Sequence, residues 1–326
     1  MKRRCAVILL TLLVICMLPG CGGKTDKNKI KVGITIQSLK NAYWAGVMDK
    51  LKAVMDENGY EYILFDCDDN AATQISQIEN FIIAGCDLIM VHPSNPDAVE
   101  FVCKEARNAG IKVMCWDDRM ENTDVNWVLD NTELGEAIGQ IAADFINRHF
   151  TADKPAETVV IGYPSTPVLL ERGNGIKKGL EKYCNPGVYT IVSEVDGLET
   201  NQSQSSCETV LQAHPDTKVF TGVGAGAMMG ANEALITKFG KGNIPEDVGV
   251  FSTDVTMEQL KSIKASDEAT RGIIGFEGSN EDTARACFAM FERIMSGEEF
   301  TGENRNIYRE IKPIYKEDVE DIIQHM

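Results

Sequence analysis

Ile30-Lys31-Val32-Gly33-Ile34-Thr35-Ile36, followed by Gln37-Ser38-Leu39-Lys40-Asn41 and then Ala42-Tyr43-Trp44, is the stretch that decides the fold. The first seven residues form a short apolar, β-branched run and predict a buried strand. The next five are polar and predict a loop. From Ala42 to Asn58 the apolar residues Trp44, Val47, Met48, Leu51, Val54 and Met55 recur at three- and four-residue steps, the spacing of one helical face. Gly59 follows, where a left-handed C′ residue ends a helix without a Cβ penalty. A strand that runs through a loop into a helix puts that loop at the carboxyl end of a sheet, where open α/β sheets bind ligands. Asn41, Tyr43 and Trp44 stand there, a hydrogen-bonding amide beside two flat rings. Rings cover C–H faces and amides meet hydroxyls, so this is the chemistry of a sugar subsite.

Outward from this stretch the same unit repeats. Strands are expected at 60–65, 88–91, 111–116 and 126–129, and helices at 71–84, 96–109 and 133–149. Gly85 and Gly110 close two of these helices, and Asp130-Asn131-Thr132 caps the third. After the Pro-bearing loop 151–155 the pattern restarts. Strands are expected at 158–161, 189–193, 218–221, 248–251 and 271–274, with helices beginning near Pro167, Thr200, Gly226, Thr256 and Ser279. Two βαβ series of similar size predict an α/β fold of two doubly wound parallel sheets, related like a duplication.

The chain has 326 residues and a formal charge of −17. Lys2, Arg3 and Arg4 precede the apolar run Ala6–Leu18, which is too short for an ordinary membrane span and predicts an export signal. Leu18-Pro19-Gly20-Cys21 resembles a bacterial lipobox. Residues 1–20 are therefore expected to be a lipoprotein signal peptide, Cys21 the acylated new terminus and 21–29 a polar tether; a plain secretory signal is the alternative. Two acyl chains would suffice for stable anchoring, at about 0.8 kcal/mol per buried methylene. Loss of residues 1–20 removes three cations and moves the formal charge from −17 to −20. A chain this acidic repels phosphate backbones and anionic lipid, so nucleic acid is not an expected partner. Besides Cys21, the cysteines retained are Cys67, Cys86, Cys103, Cys115, Cys184, Cys207 and Cys287. None forms a C-x-x-C pair or has a His at ligand spacing, so no metal is expected. Most lie in apolar segments, as buried thiols do, and a disulfide between two of them stays open.

From about Ile30 to Tyr315 the chain resembles the type I periplasmic binding proteins of the ribose- and galactose-binding class, the solute receptors of sugar ABC importers. The resemblance is carried by Asn41-Ala42-Tyr43-Trp44, the Asp-rich loop Asp66 to Asn70, and Val91-His92-Pro93-Ser94-Asn95-Pro96-Asp97-Ala98-Val99. Further on it is carried by Ile111 to Asp117, Leu129-Asp130-Asn131, Glu171-Arg172-Gly173 and Ala213-His214-Pro215-Asp216. Their order and spacing together are the signal. The resemblance implies two lobes joined by a three-stranded hinge: 30–130 plus 277–307, and 131–276 plus 308–326. It implies an exported, monomeric, cofactor-free protein, lipid-anchored outside the cell membrane, that binds a small carbohydrate-like ligand and delivers it to ABC permease subunits. A ligand sensor for a histidine kinase or chemoreceptor would use the same fold.

The family's ligand contacts fall on Asn41, Tyr43 and Trp44, on Asp117 as a hydroxyl-accepting carboxylate, and on Asp118, where the ribose pattern has Arg. In the second lobe they fall on Asp254, and at the hinge on Glu277, where the pattern has Gln. The other second-lobe contacts are replaced: Leu170 stands for an Arg, Gly224 for an Asn, and Gly197 near the place of an aromatic. Asp117, Asp118, Asp254 and Glu277 near one point imply excess negative charge, and buried charge must be paired. An amino-bearing or larger polyol, or a partly wet pocket, is therefore expected in place of plain ribose.

Other motifs lead nowhere. Gly222-Val223-Gly224-Ala225-Gly226-Ala227 fits a loose dinucleotide loop, but the acid that would bind a ribose is wrongly placed, since Glu246 and Asp247 precede the next strand. Asp66 to Asn70 begins like a calcium loop, yet its sixth and twelfth positions are Ala71 and Gln77. His92, His149, His214 and His325 follow no nucleophile in a recognisable constellation, so enzyme chemistry is not expected.

Overall fold

The computed structural model describes residues 29–276 and 278–326. The expected signal peptide, Cys21 and Glu277 lie outside them.

Two six-stranded sheets organise the described residues. In chain order the first lobe opens with β1 (Lys31–Ile36), α1 (Ala42–Glu57), β2 (Glu61–Asp66), α2 (Ala71–Ile83), β3 (Leu88–Val91), α3 (Pro96–Asn108), β4 (Lys112–Trp116) and β5 (Val125–Val128). Next come α4 (Asn131–His149), β6 (Ala156–Gly162), α5 (Pro167–Tyr183), β7 (Tyr189–Asp196), α6 (Thr200–Ala213), β8 (Val219–Gly222), α7 (Ala225–Phe239), β9 (Gly249–Thr253), α8 (Met257–Ala265) and β10 (Thr270–Phe276). The chain finishes with α9 (Asn280–Met295), β11 (Asn306–Tyr308), β12 (Ile311–Ile314) and α10 (Val319–Gln324). The strand orders, β11-β5-β4-β3-β1-β2 and β12-β10-β9-β8-β6-β7, correspond position for position. The expected duplication is therefore visible strand by strand, with β4 matching β9 and β3 matching β8.

Local chemistry explains where the elements begin and end. Asn41, Asn70, Asn95 and Asp130 each accept backbone N–H bonds at a helix start, and Thr256 and Ser279 close capping boxes. Gly59, Gly85 and Gly110 have φ of 73°, 66° and 85°, the left-handed values that helix ends demand. Asp130 alone caps α4, which starts two residues earlier than expected, at Asn131. The sheets are not wholly parallel: β12 pairs antiparallel with β10. It is an edge strand and so tolerates Pro313, which has no N–H to give a ladder.

The chain passes between the sheets three times: after β5, after β10, and between β11 and β12. Accordingly α4 packs on α5 of the second lobe and α9 on α1 of the first. One apolar cluster runs through both pairs of helices and includes Trp116, Trp127 and Phe276, so the two cores meet at the passages. The α4–α5 contact is main chain on main chain. A Cβ on Gly135 would stand 2.8 Å from Gly175 Cα, and one on Gly139 2.8 Å from Gly179 Cα. Only glycines allow this approach.

Cys67, Cys86, Cys103, Cys115, Cys184 and Cys207 are free thiols, all but Cys184 buried, and Cys287 is buried as well. Burial in apolar surroundings pushes Cys103 and Cys207 up to about 12, the inert state of structural thiols.

Candidate functional site

The site is built where the carboxyl ends of the two sheets meet. In each lobe the strand at the middle of the sheet delivers an aspartate: Asp117 directly after β4 and Asp254 directly after β9. Both have left-handed backbone, φ 67° and 72°. This conformation costs an ordinary side chain about 1 kcal/mol or more and is tolerated best by Asp, Asn and Gly. At Asp117 the backbone N–H still donates to Trp127 O (2.9 Å), so the ladder of the strand ends one residue late and the carboxyl group turns off the sheet. At Asp254 the carboxylate accepts the Ala225 N–H (2.8 Å), at the positive end of α7.

The first-lobe wall is aromatic. Asn41 Oδ1 accepts the backbone N–H groups of Tyr43 (2.9 Å) and Trp44 (3.5 Å), which fixes both rings in the first turn of α1. Asn41 is exposed and its oxygen is engaged in this cap. Tyr43 and Trp44 are buried, at 5% and 7% exposure. Trp44 stacks on His92 at 4.0 Å and meets Trp116 edge-on at 4.9 Å; Trp116 in turn contacts Trp127 at 4.6 Å. His92 follows β3, and burial holds its imidazole down at about 4, so the ring is neutral near pH 7. Trp116 Nε1 is buried and has no hydrogen-bond partner among the described residues.

The second-lobe wall is main chain and guanidinium. Arg172, on α5, forks its Nε and Nη2 onto Asn131 Oδ1 (3.0 and 2.7 Å) and gives Nη1 to Val223 O (2.6 Å). The glycine contact of α4 with α5 brings Asn131 and Arg172 together. Burial pushes Asp254 up from the ordinary carboxylate range, and the Arg172 charge opposes this. The charge of Asp117 is felt at both Arg172 and Asp254, so the aspartates of the two lobes share one field. Gly222 and Gly224, the supposed dinucleotide glycines, present carbonyls to Ser252 Oγ, both at 2.8 Å. They form a tight turn against the cleft.

Asp118 lies beside Asp117, half-buried, and its carboxyl is pushed up to about 6 by burial first, with the Asp117 charge adding to it. Two of the acids expected to carry surplus negative charge have an arginine beside them. Arg309, absent from the sequence reading, reaches Asp117 Oδ1 at 3.2 Å, and Arg172 stands by Asp254. Leu170, read as the replacement of a cation, is 44% exposed, while Arg172 two residues on supplies the charge. The structure thus gathers Tyr43, Trp44, Asp117 and Asp254 with Arg172, Arg309, His92 and Trp116. Asn41 and Asp118 stand at its edge.

A family model for the periplasmic binding protein domain matches residues 32–299. The ribose import binding protein RbsB of Bacillus subtilis is 25% identical over 276 residues, 81% of this chain and 85% of its own. The D-xylose-binding periplasmic protein of Escherichia coli is 26% identical over 64% of this chain and 62% of its own. Among solved structures, an ABC transporter periplasmic solute binding protein from Actinobacillus succinogenes with bound D-allose is similar with a TM-score of 0.77 at 18% identity, over 90% of this chain and 100% of its own. One from Bacillus halodurans with bound myo-inositol has a TM-score of 0.75 at 16% identity, over 93% of this chain and 100% of its own.

Proposed function

This chain belongs to the periplasmic binding protein domain family, and from that premise we propose that it is the extracytoplasmic receptor of a sugar ABC importer. It captures a neutral pentose, hexose or cyclic polyol between its lobes. The observation that carries this reading is the matched pair of aspartates, one per sheet and close enough to feel each other's charge, with buried rings on the first-lobe side. Carboxylates accept hydrogen bonds from hydroxyls more strongly than neutral acceptors do, and Trp44 offers a flat face to C–H groups. Asn41, Tyr43, Trp44, Asp117, Asp118, Asp254 and Glu277 are the proposed ligand residues. No bond is made or broken; binding energy closes 30–130 plus 277–307 against 131–276 plus 308–326, and the permease reads the closed form. Cys21 carries the lipid that keeps the monomer at the membrane surface. No described helix is long and apolar enough to cross a membrane.

The test is a thermal-shift and tryptophan-fluorescence screen with D-ribose, D-xylose, D-allose and myo-inositol, repeated on Trp44→Ala and Asp117→Ala. At least one compound is expected to raise the melting temperature of the wild type and to leave both variants unmoved. A response that survives in both variants, or no response from the wild type to any of the four, would refute the reading.

A further inference from the structure

Arg309 lies between β11 and β12, on the third passage between the sheets. Its side chain has no exposed surface. Nη1 reaches Asp117 Oδ1 at 3.2 Å and Nη2 donates to the Tyr43 hydroxyl at 2.7 Å. The guanidinium carbon lies 4.6 Å from the ring centre of Trp127, 4.9 Å from Phe276 and 5.3 Å from Trp116. The backbone N–H donates to Val128 O at 2.9 Å. Trp127 and Val128 end the strand that leads into the first passage, and Phe276 ends the strand that leads into the second. One guanidinium therefore meets the ends of all three passages and two side chains of the ligand wall.

A guanidinium is a rigid planar fork, and three aromatic faces around it fix its plane. Its two ends then fix what they touch. Asp117 leaves its strand in a left-handed turn, from which its carboxylate could rotate about the Cα–Cβ bond. Holding Oδ1 sets the direction of Oδ2. Holding the Tyr43 oxygen likewise selects one direction for its hydroxyl proton.

We infer that Arg309 is the positioning residue of this cleft, holding the Asp117 carboxylate and the Tyr43 hydroxyl in the orientation in which a ligand hydroxyl meets them. The inference rests on the sugar-receptor reading and adds to it a group that acts through others. Sequence spacing gives no hint of it, since its partners lie 192 and 266 residues away.

The test is a double-mutant cycle on Kd, using whichever of D-ribose, D-xylose, D-allose and myo-inositol the wild type binds. Arg309→Met is expected to raise Kd about 30-fold or more, the usual scale for truncating one partner of a buried charge pair. Arg309→Lys keeps the charge but not the fork, and recovers part of the loss. In an Asp117→Asn background, Arg309→Met is expected to cost several-fold less than in the wild type, because the Asp117 carboxylate is no longer there to aim while the Tyr43 hydroxyl still is. A general loosening of the fold would give the same factor in both backgrounds. Should Arg309→Met fail to melt cooperatively, Arg309→Lys and Tyr43→Phe decide, each expected to weaken binding roughly threefold or more. Equal factors in both backgrounds, or wild-type affinity in Arg309→Lys and Tyr43→Phe, overturn the positioning role and leave the receptor reading intact. A wild type that binds none of the four sugars overturns both.

Discussion

At the end of β4 stand Trp116 and then Asp117; at the matching end of β9 stand Thr253 and then Asp254. After β3 comes His92, whose N–H donates to Thr35 O; after β8 comes Val223, whose N–H donates to Ile161 O. The backbones of the two lobes thus agree down to single hydrogen bonds, and both place an aspartate in the same left-handed turn. The side chains around those aspartates do not agree. The first lobe surrounds its carboxylate with Trp44, Trp116, Trp127 and His92, whereas the second uses Gly222, Gly224, Ala225 and Arg172. The difference teaches a division of labour. If the two aspartates accept hydroxyl protons as proposed, the first lobe adds most of the flat faces, with Phe276 the second lobe's ring beside Tyr43, so a ligand would lie with its C–H face mainly on the first lobe.

The comparison can be broken by unequal perturbation of matched positions. The largest effect is expected at the last residues of β4 and β9. Trp116→Ala removes a fully buried indole and should lower the free energy of urea unfolding by about 3–5 kcal/mol. Thr253→Ala removes one buried hydroxyl that donates to Ile274 O and should cost about 1–2 kcal/mol. Equal losses would mean that the rings are not what builds the first wall.

The next effect is expected in acid. His92 is held neutral by burial, with its folded value at about 4 against an ordinary 6.5. The neutral ring is the form the fold stabilises. Its contribution is therefore complete above about pH 6.5 and is lost as pH falls toward 4, by up to about 3 kcal/mol. In His92→Gln the stability difference from wild type should shrink over that interval, as read from urea unfolding at several pH values. The second lobe has Val223 at the matching place, so Val223→Ala should leave the slope unchanged. A slope that survives in His92→Gln would move the acid sensitivity elsewhere.

The smallest effect sharpens the contrast in helix packing. Gly135→Ala and Gly179→Ala place a methyl group where α4 and α5 touch through their main chains, and should cost about 1–3 kcal/mol each. On the matching α1–α9 face, a Cβ on Gly46 would meet the side chain of Asn280, which can turn aside. Gly46→Ala should therefore cost less than either, measured by thermal melting.

Most of the fold was open to a reader of the sequence, because its signals are local. Caps at Asn41, Asn70, Asn95, Asp130, Thr256 and Ser279, and left-handed glycines at 59, 85 and 110, mark elements within a few residues. The last two strands carry no such marks. Asn306-Ile307-Tyr308 is too short for a period, and β12 contains a proline. The site divides in the same way. Tyr43 and Trp44 follow a strand and its loop into the first turn of a helix, Asp117 and Asp254 follow strand ends, and the family resemblance reaches all four. Arg309 was not reached, and with it went the charge balance of the cleft. Arg172 was in plain view within Glu171-Arg172-Gly173, but its meaning depends on Asn131 and Val223, which only the packed helices bring near.

The third passage has one more consequence. β11 ends at Tyr308 and β12 begins at Ile311, three Cα steps that can never span more than about 11 Å. The other two links, from Val128 to Asn131 and from Phe276 to Asn280, are about as short. If the lobes close as proposed, three brief tethers limit sliding more than rotation, so that closure would leave the heel of the molecule nearly in place while the far rim swings. In such a closure a ring close to that heel, as Trp127 is, would travel little, and residues at the outer edge would travel most.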